Sequence, residues 1–473
     1  MVIALAALNV TGIGFLGLMG SVGAFCVLVA VVMAITFTPA VLSVLGLRVL
    51  SRRERHHRER LVEPGALPPH RAEVPPAPMR TGRAAVVLVA GVVALGVVAV
   101  PALSMRLGLP DGSAEARETT QYQAFDLTAR SFGEGTNGPL LVVADLSSPV
   151  AEADQLAEQV DVVRAITGVG DVAAVAPIGF SEDGTLAAFQ VVPDGGPTSE
   201  STEQLVRDLR DLSPLTTTAG DATIGVAGSA SGNIDISEQL ADALPGYLAL
   251  VVGLSLLILV VVFRSVLVPL TATLGFVLSL FATFGAITAV FQWGWLGSVF
   301  GVSTPGPVLS FLPTIVVGIL FGLAMDYQLF LVSGMREAHA HGASARHAVT
   351  AGVKAGRRVV VAAAIIMVSV FAGFIGSDSV IIRSVGFGLA FGVLVDAFVV
   401  RLLLIPAVMH LLGRSAWWLP RWLDRLLPDV DVEGASLERD LAHGPRDPHP
   451  GSQDDGSRDD GSRDDRDPVP ASR

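Results

Sequence analysis

The chain has 473 residues, of which 51% are hydrophobic, and its mean hydropathy is +0.59. These values exclude a disordered chain and an ordinary soluble domain, and several runs of about 20 apolar residues predict a polytopic α-helical membrane protein. The net charge of −12 comes largely from two polar regions and does not indicate a nucleic-acid partner, and the single cysteine, Cys26, excludes an intrachain disulfide.

Residues 1–46 contain a short apolar stretch at 1–10 and a complete span at about 22–46. Residues 1–46 are therefore predicted to form a partial helix plus one span. The internal similarity described below makes them the end of a first transmembrane repeat. A linker over 47–83 is basic and rich in proline, and a transmembrane helix follows over 84–104. Because short loops rich in arginine stay on the inner side of a membrane, the linker is predicted to be cytoplasmic.

Residues 105–243 are polar and acidic, and we predict that they form an extracytoplasmic α+β domain. Strand-like and amphipathic helical patterns alternate in the order β-α-β-β-α-β, which is typical of a ferredoxin-like domain. The strands are predicted over 138–146, 171–178, 185–193 and 221–227, and the helices over 150–167 and 199–212.

A five-helix transmembrane bundle is predicted over 244–413, which brings the total to about seven complete transmembrane helices plus the partial one. The loop at 335–358 and the stretch at 414–428 are basic, whereas 291–309 contains no Lys or Arg. Alternating crossings place every basic loop in the cytoplasm. The spans are predicted over 244–263, 266–290, 310–333, 359–377 and 385–412.

The end of the chain has two different compositions. Residues 414–428 contain SAWWLPRWLDRLLP, in which Trp417, Trp418 and Trp422 lie beside arginines, so that a cytoplasmic interfacial helix is predicted. Residues 429–473 are a low-complexity acidic tail, which we expect to be disordered.

Two apolar stretches are similar to each other: 15–46 aligns with 382–413 without gaps. The alignment pairs a proline and a glycine in each copy, Pro39 with Pro406 and Gly46 with Gly413. The same register sets Met1 opposite Val368, in the middle of a predicted span. We therefore expect this chain to be the C-terminal part of a longer protein, with about 300 further residues upstream.

Four stretches carry a resemblance to a known family: VVFRSVLVPL (261–270), GLAMDYQLFLVSGMREAHAHG (322–342), GFGLAFGVLVDAFVVRLLLIPAVMHLLGR (386–414) and WWLPRWLDRLLP (417–428). The chain resembles, over about 1–428, the mycobacterial membrane protein large (MMPL) family of the resistance-nodulation-division (RND) superfamily. That resemblance implies a bundle of twelve helices in two pseudo-repeated halves, each with a porter-type domain outside the membrane. It also implies multi-pass insertion in the bacterial inner membrane and export of lipids or other hydrophobic compounds, driven by the proton gradient.

The resemblance implies that Asp326 and Tyr327 are one half of a proton relay, because they match the Asp-Tyr pair on the family's tenth helix. The facing pair on the fourth helix has no counterpart in this chain. Gly334 departs from the family pattern, in which an arginine is frequent at that position. Independently of the family, Asp326 lies roughly 22 Å from Phe311 along a helix, near the membrane midplane, where a carboxyl group could exchange a proton. The alternative is a protonated Asp that only joins helices.

A second acid, Asp396, is predicted near the midplane, and the first repeat has Val29 at the aligned position. Arg401 lies five residues further on, which in an α-helix is a different face, and we expect it to extend toward the cytoplasm. A structural hydrogen bond and an auxiliary role in the relay both stay open for this possible intramembrane polar pair.

Four glycines in the predicted spans and three histidines in the basic loop are predicted to have structural roles. Four glycines at small-xxx-small spacing predict close helix packing: Gly318, Gly322, Gly388 and Gly392. Three histidines in the basic loop are assigned to the surface and not to a metal site: His339, His341 and His347.

The sequence contains no nucleotide-binding motif, so we predict a non-enzymatic, proton-coupled secondary transporter with no cofactor and protons as the coupling ion. The predicted partners are a lipid or hydrophobic small-molecule cargo, membrane lipids and the missing N-terminal half, encoded in the same gene or separately; no nucleic acid is expected, and a homo-oligomer is left open. One alternative is a non-transporting truncated product or scaffold. A minor alternative is an intramembrane aspartyl protease that uses Asp326 and Asp396.

Overall fold

The computed structural model describes residues 1–49, 79–302, 304–340 and 342–426. Most of the predicted linker and the predicted acidic tail lie outside the described residues. The α-helices are α1 (Val2–Ala6), α2 (Gly14–Leu45), α3 (Thr81–Ala99), α4 (Thr120–Phe132), α5 (Gln155–Thr167), α6 (Glu200–Asp211), α7 (Ser229–Phe263), α8 (Leu267–Ile287), α9 (Gly297–Phe300), α10 (Leu312–Ala340), α11 (Ala345–Ile375), α12 (Val380–Leu394), α13 (Ile405–Leu412) and α14 (Arg421–Leu426). The strands are β1 (Leu107–Gly108), β2 (Leu140–Leu146), β3 (Val172–Phe180), β4 (Leu186–Pro193), β5 (Leu215–Thr217), β6 (Gly220–Ala227) and β7 (Val308–Leu309).

In the described part of the chain, seven helical segments are long and apolar enough to cross a membrane, and a shorter apolar one covers Val2–Thr11. This confirms the predicted fold class of a polytopic α-helical membrane protein with one α+β domain. The spanning segments are Gly14–Leu45, Thr81–Ser104, Ser229–Phe263, Leu267–Gln292, Leu312–His339, Ala345–Ile375 and Val380–Trp417.

Two of these helices start well before the predicted spans. Helix α7 begins at Ser229 and α11 at Ala345, whereas the sequence pattern places the spans from 244 and 359. The added residues are polar, and they continue the helix beyond the apolar run because backbone hydrogen bonding does not require apolar side chains. As a result, α7 runs without interruption from the α+β domain into the membrane bundle.

The α+β domain contains a five-stranded sheet in the order β3-β4-β2-β6-β5, and every neighbouring pair is antiparallel. The four predicted strands are β2, β3, β4 and β6, and their arrangement around β2 is the ferredoxin-like one. Alternate residues of β2, from Leu140 to Leu146, are buried because successive side chains of a strand point to opposite faces. They share a core with Phe189 of β4, Ile166 of α5 and Leu205 of α6.

Two contacts join the start of this domain to the end of the bundle nearest to it, and the sequence did not predict either. Strand β1 pairs in parallel with β7, which lies just before α10. The Gln292 side chain accepts a hydrogen bond from the Arg106 backbone N–H at 2.8 Å and donates one to the Ser104 carbonyl at 2.7 Å. Helix α4 is also absent from the sequence prediction.

The two aligned stretches end in the same backbone conformation. Gly46, after α2, has φ 51° and ψ −133°, and Gly413, after α13, has φ 53° and ψ −122°. Each glycine starts a short 3-10 helix, Gly46–Val49 in one stretch and Gly413–Trp417 in the other. The middles differ, because α2 is a continuous α-helix whereas a π-helix over Val395–Leu404 separates α12 from α13.

Candidate functional site

The Asp326 side chain lies on α10 at a cavity between this helix, α7 and the N-terminal stretch. The cavity is also lined by Met1 and Ala4 on one side and by Leu250 and Ser255 on the other. Asp326 is exposed at this surface, and no salt bridge joins it to another side chain in the described part of the chain. Its carboxyl group is therefore accessible from the cavity.

Tyr327 faces the interior of the bundle. It follows Asp326 by one residue, which turns its side chain about 100° around the helix, and only 7% of the residue is exposed. Its hydroxyl group has no hydrogen-bond partner among the described residues.

Asp396 and Arg401 form an ion pair in the core of the bundle. The Arg401 Nε atom donates to Asp396 Oδ2 at 3.0 Å, and the two side chains are 1% and 6% exposed, respectively. The expectation that Arg401 lies on a different face and extends toward the cytoplasm is wrong. In a π-helix the backbone bonds join residues five apart, so residues 396 and 401 come to the same side.

Gln328 completes this cluster, and the sequence analysis missed it. The Arg401 Nη1 atom donates a hydrogen bond to Gln328 Oε1, and Gln328 is fully buried. A polar amide directly after Asp326-Tyr327 in an otherwise apolar helix is the signal that could have identified it. Three further atoms have no hydrogen-bond partner among the described residues: Gln328 Nε2, Asp396 Oδ1 and Arg401 Nη2. The buried cluster thus contains polar atoms without hydrogen bonds, and such atoms lower the stability of a fold.

The four glycines named from the sequence lie at close contacts, where an added Cβ atom would require a neighbouring group to shift. A Cβ atom on Gly318 would lie 2.7 Å from the Tyr247 hydroxyl oxygen, and one on Gly388 would lie 2.8 Å from Ile287 Cδ1. A Cβ atom on Gly322 would collide with Met1, and one on Gly392 with Leu320. The last contact joins α12 to α10 and brings the two halves of the polar cluster together.

The position where this chain departs from the family pattern is also a helix contact. A Cβ atom on Gly334 would lie 3.5 Å from Gly352 Cα, and one on Gly352 would lie 2.6 Å from the Met335 backbone nitrogen. Helices α10 and α11 therefore approach each other closely at Gly334, which leaves little room for an arginine pointing in this direction.

The histidines of the basic loop have structural contacts. His339 stacks on Trp417, with ring centroids 5.4 Å apart and an interplanar angle of 14°. His347 contacts Ser344 Oγ at 2.7 Å through Nδ1, and His341 lies outside the described residues. Among residues that the structure describes, no group of three His, Cys, Asp or Glu side chains could hold a metal ion.

The protease alternative needs two carboxyl groups that face one another. Asp396 is instead bound to Arg401, and Asp326 lines a cavity on the other side of α10. These carboxyl groups therefore do not form the dyad of an aspartyl protease.

Seven apolar helices, a ferredoxin-like domain and an ion pair buried in the bundle define a multi-pass membrane protein. The chain belongs to the MMPL family, whose profile matches residues 1–73 and 114–429.

Three relatives illustrate the similarity. The chain is 40% identical over 440 residues to the membrane protein YdfJ of Bacillus subtilis, which covers 93% of this chain and 59% of YdfJ. It is 32% identical over 413 residues to the mycolic acid-containing lipids exporter MmpL11 of Mycolicibacterium smegmatis, covering 86% of this chain and 42% of MmpL11. It is 35% identical over 224 residues to the trehalose monomycolate exporter MmpL3 of Mycobacterium tuberculosis, covering 46% of this chain and 23% of MmpL3. The chain thus spans little more than half the length of YdfJ and less of the other two.

Proposed function

We propose that this chain forms part of a proton-driven exporter of lipids or other hydrophobic compounds across the bacterial inner membrane. The observation that carries the proposal is the arrangement of polar groups on α10. Gln328 contacts the buried pair of Asp396 and Arg401, Tyr327 faces the interior of the bundle, and Asp326 faces a cavity on the other side of the helix. Buried charges are rare in membrane bundles and are retained at ion or proton pathways. The names of MmpL11 and MmpL3 support a lipid cargo.

The two carboxyl groups have different roles in this proposal. Asp396 is committed to Arg401 and forms a fixed part of the site. Asp326 has no ion-pair partner in the part of the chain that the structure describes and faces a cavity, so in this proposal it takes up and releases the proton. The Tyr327 hydroxyl has no hydrogen-bond partner among the described residues, so it can form a new hydrogen bond when the charge on Asp326 changes.

Helix α7 offers a route from this site to the α+β domain. Its membrane part lines the Asp326 cavity at Leu250 and Ser255, and its first turn follows β6 after one residue, Gly228. Ser237 in the same helix shares a 2.6 Å hydrogen bond with Ser310, just before α10. A shift of α7 on protonation of Asp326 would therefore move the domain, which is how proton entry would be coupled to cargo movement.

The orientation follows from the basic loops. We place the α+β domain outside the cell and the loop between α10 and α11 in the cytoplasm. The helix ends on both sides of that loop, over 335–358, and residues 414–428 are rich in arginine, whereas 291–309 contains no Lys or Arg.

Replacement of Asp326 by Asn tests the proposal. Cells that lack the native protein would be complemented with the full-length gene carrying wild type, Asp326→Asn or Asp326→Glu, and surface-extractable lipids would be quantified by mass spectrometry. We expect Asp326→Asn to be as inactive as the deletion and Asp326→Glu to keep partial activity. Asp378→Asn, which removes an exposed carboxyl group after α11, is the matched control. Wild-type lipid levels with Asp326→Asn would refute the role of Asp326.

A further inference from the structure

A groove opens between α11 and α13 at the end of the bundle opposite to the α+β domain. Helix α10 begins beside β7 on the domain side, so the start of α11 and the end of α13 lie on the other side. One wall carries Lys354, Arg357 and Arg358 of α11. The other wall carries Leu402, Pro406 and His410, which are four residues apart and therefore follow one stripe of the helix.

The charge in this groove has one sign. The lengths of chain that form its walls, 345–358 and 402–412, contain no Asp or Glu. The apolar run of α11 begins at Val359, so Arg357 and Arg358 lie at the boundary between the hydrocarbon and the headgroup layer. The groove therefore presents cations at the depth at which phospholipid phosphates lie.

His410 shows that the groove is more than an ordinary basic membrane edge. It is only 2% exposed, it lines the groove, and neither Nδ1 nor Nε2 has a hydrogen-bond partner among the described residues. A buried ring without hydrogen-bond partners is unfavourable, and an oxygen atom in the groove that bonds to it would remove that penalty. The bias of arginine toward the inner side accounts for the charges but not for this buried ring.

We propose that this groove binds the headgroup of an anionic phospholipid from the adjacent membrane leaflet. Arg357 and Arg358 attract the phosphate, and His410 donates a hydrogen bond to a headgroup or ester oxygen. The acyl chains lie against Leu402 and Pro406, which lie deeper in the membrane than His410. This lipid is a resident of the groove and is separate from any exported cargo, so the proposal does not depend on export.

Lipid retention by the full chain tests the proposal. The protein would be reconstituted in phosphatidylcholine nanodiscs that contain phosphatidylglycerol, released into detergent and analysed by native mass spectrometry. We expect wild type to retain one phosphatidylglycerol, and the double variant Arg357→Gln/Arg358→Gln to bind it about fivefold more weakly for each arginine removed. The control is Arg414→Gln/Arg421→Gln, which removes two exposed arginines after α13. Equal losses in both double variants would mean non-specific surface charge and would overturn the site.

A second variant and a competitor complete the test. His410→Phe keeps the ring volume and all arginines, and we expect it to weaken retention by about tenfold; unchanged retention would contradict the role of the buried ring. Inorganic phosphate added before release should leave the bound lipid in place. Its displacement by inorganic phosphate would show that the groove takes free phosphate, and retention of phosphatidylcholine equal to that of phosphatidylglycerol would show no preference for an anionic headgroup.

Discussion

The two aligned helical stretches, α2 and the α12–π–α13 segment, have the same conformation at their ends but differ in their middles, where the second stretch contains the buried ion pair. Both stretches carry a proline near the end and a glycine of the same unusual conformation. In the middle, the second stretch has Asp396 and Arg401 where the first has Val29 and Ala34. The most apolar window of α2 is 11% buried within the described chain, and that of the second stretch is 67% buried. The ion pair therefore occurs together with a π-helical middle that the first stretch lacks, whereas the ends are the same in both.

Breaking the ion pair gives the largest expected effect on stability. Arg401→Met leaves the Asp396 carboxylate buried without a partner, and we expect the free energy of unfolding in bicelles, measured by steric trapping, to fall by about 3–5 kcal/mol. Ala34→Met introduces the same residue at the aligned, exposed position of α2 and should change it by less than about 0.5 kcal/mol. Similar losses of unfolding free energy in both variants would mean that the loss in Arg401→Met does not come from breaking a buried ion pair.

Making the second copy apolar, as the first copy is, separates stability from function. Asp396→Val/Arg401→Met removes both charges, and we expect most of the stability lost in Arg401→Met to return, since apolar replacement of a buried pair is often neutral. Export, measured by surface lipids as above, should still be absent. A stable double variant with normal export would show that the pair is a structural feature only.

Loss of Gln328 tests the part of the site that α10 supplies. Gln328→Leu removes the amide that accepts a hydrogen bond from Arg401, and we expect the unfolding free energy to fall by about 1.5–3 kcal/mol. Gln292→Leu is the control, because it removes a hydrogen-bonded glutamine at the end of the bundle nearest to the α+β domain. The groups bonded there lie nearer to solvent, so the effect should be smaller. The reverse ranking would argue against a special role for the buried cluster.

Apolar runs and strand patterns were sufficient to predict the seven spans and four of the five strands of the sheet, because both depend on local periodicity. The geometry of Asp396 and Arg401 was not predictable in this way. A five-residue spacing separates two side chains in an α-helix and unites them in a π-helix, and no local pattern in VDAFVVRLLL distinguishes the two. The partner Gln328 and the pairing of β1 with β7 depend on contacts between distant parts of the chain, which one sequence does not encode visibly.

The glycines that end the two stretches give the smallest expected effect and test the part that they share. Gly46 and Gly413 have φ of 51° and 53°, and a Cβ atom on either would meet no other atom within 4 Å. Replacement by Ala should therefore add only backbone strain, about 1–2 kcal/mol in each case and equal in the two. Gly96, a glycine of α3 with similar space around it and an ordinary φ, is the control and should tolerate Ala without loss. If Gly46→Ala and Gly413→Ala differed by more than the error of the unfolding measurement, the two ends would not be equivalent, and the similarity of the stretches would reduce to their apolar composition.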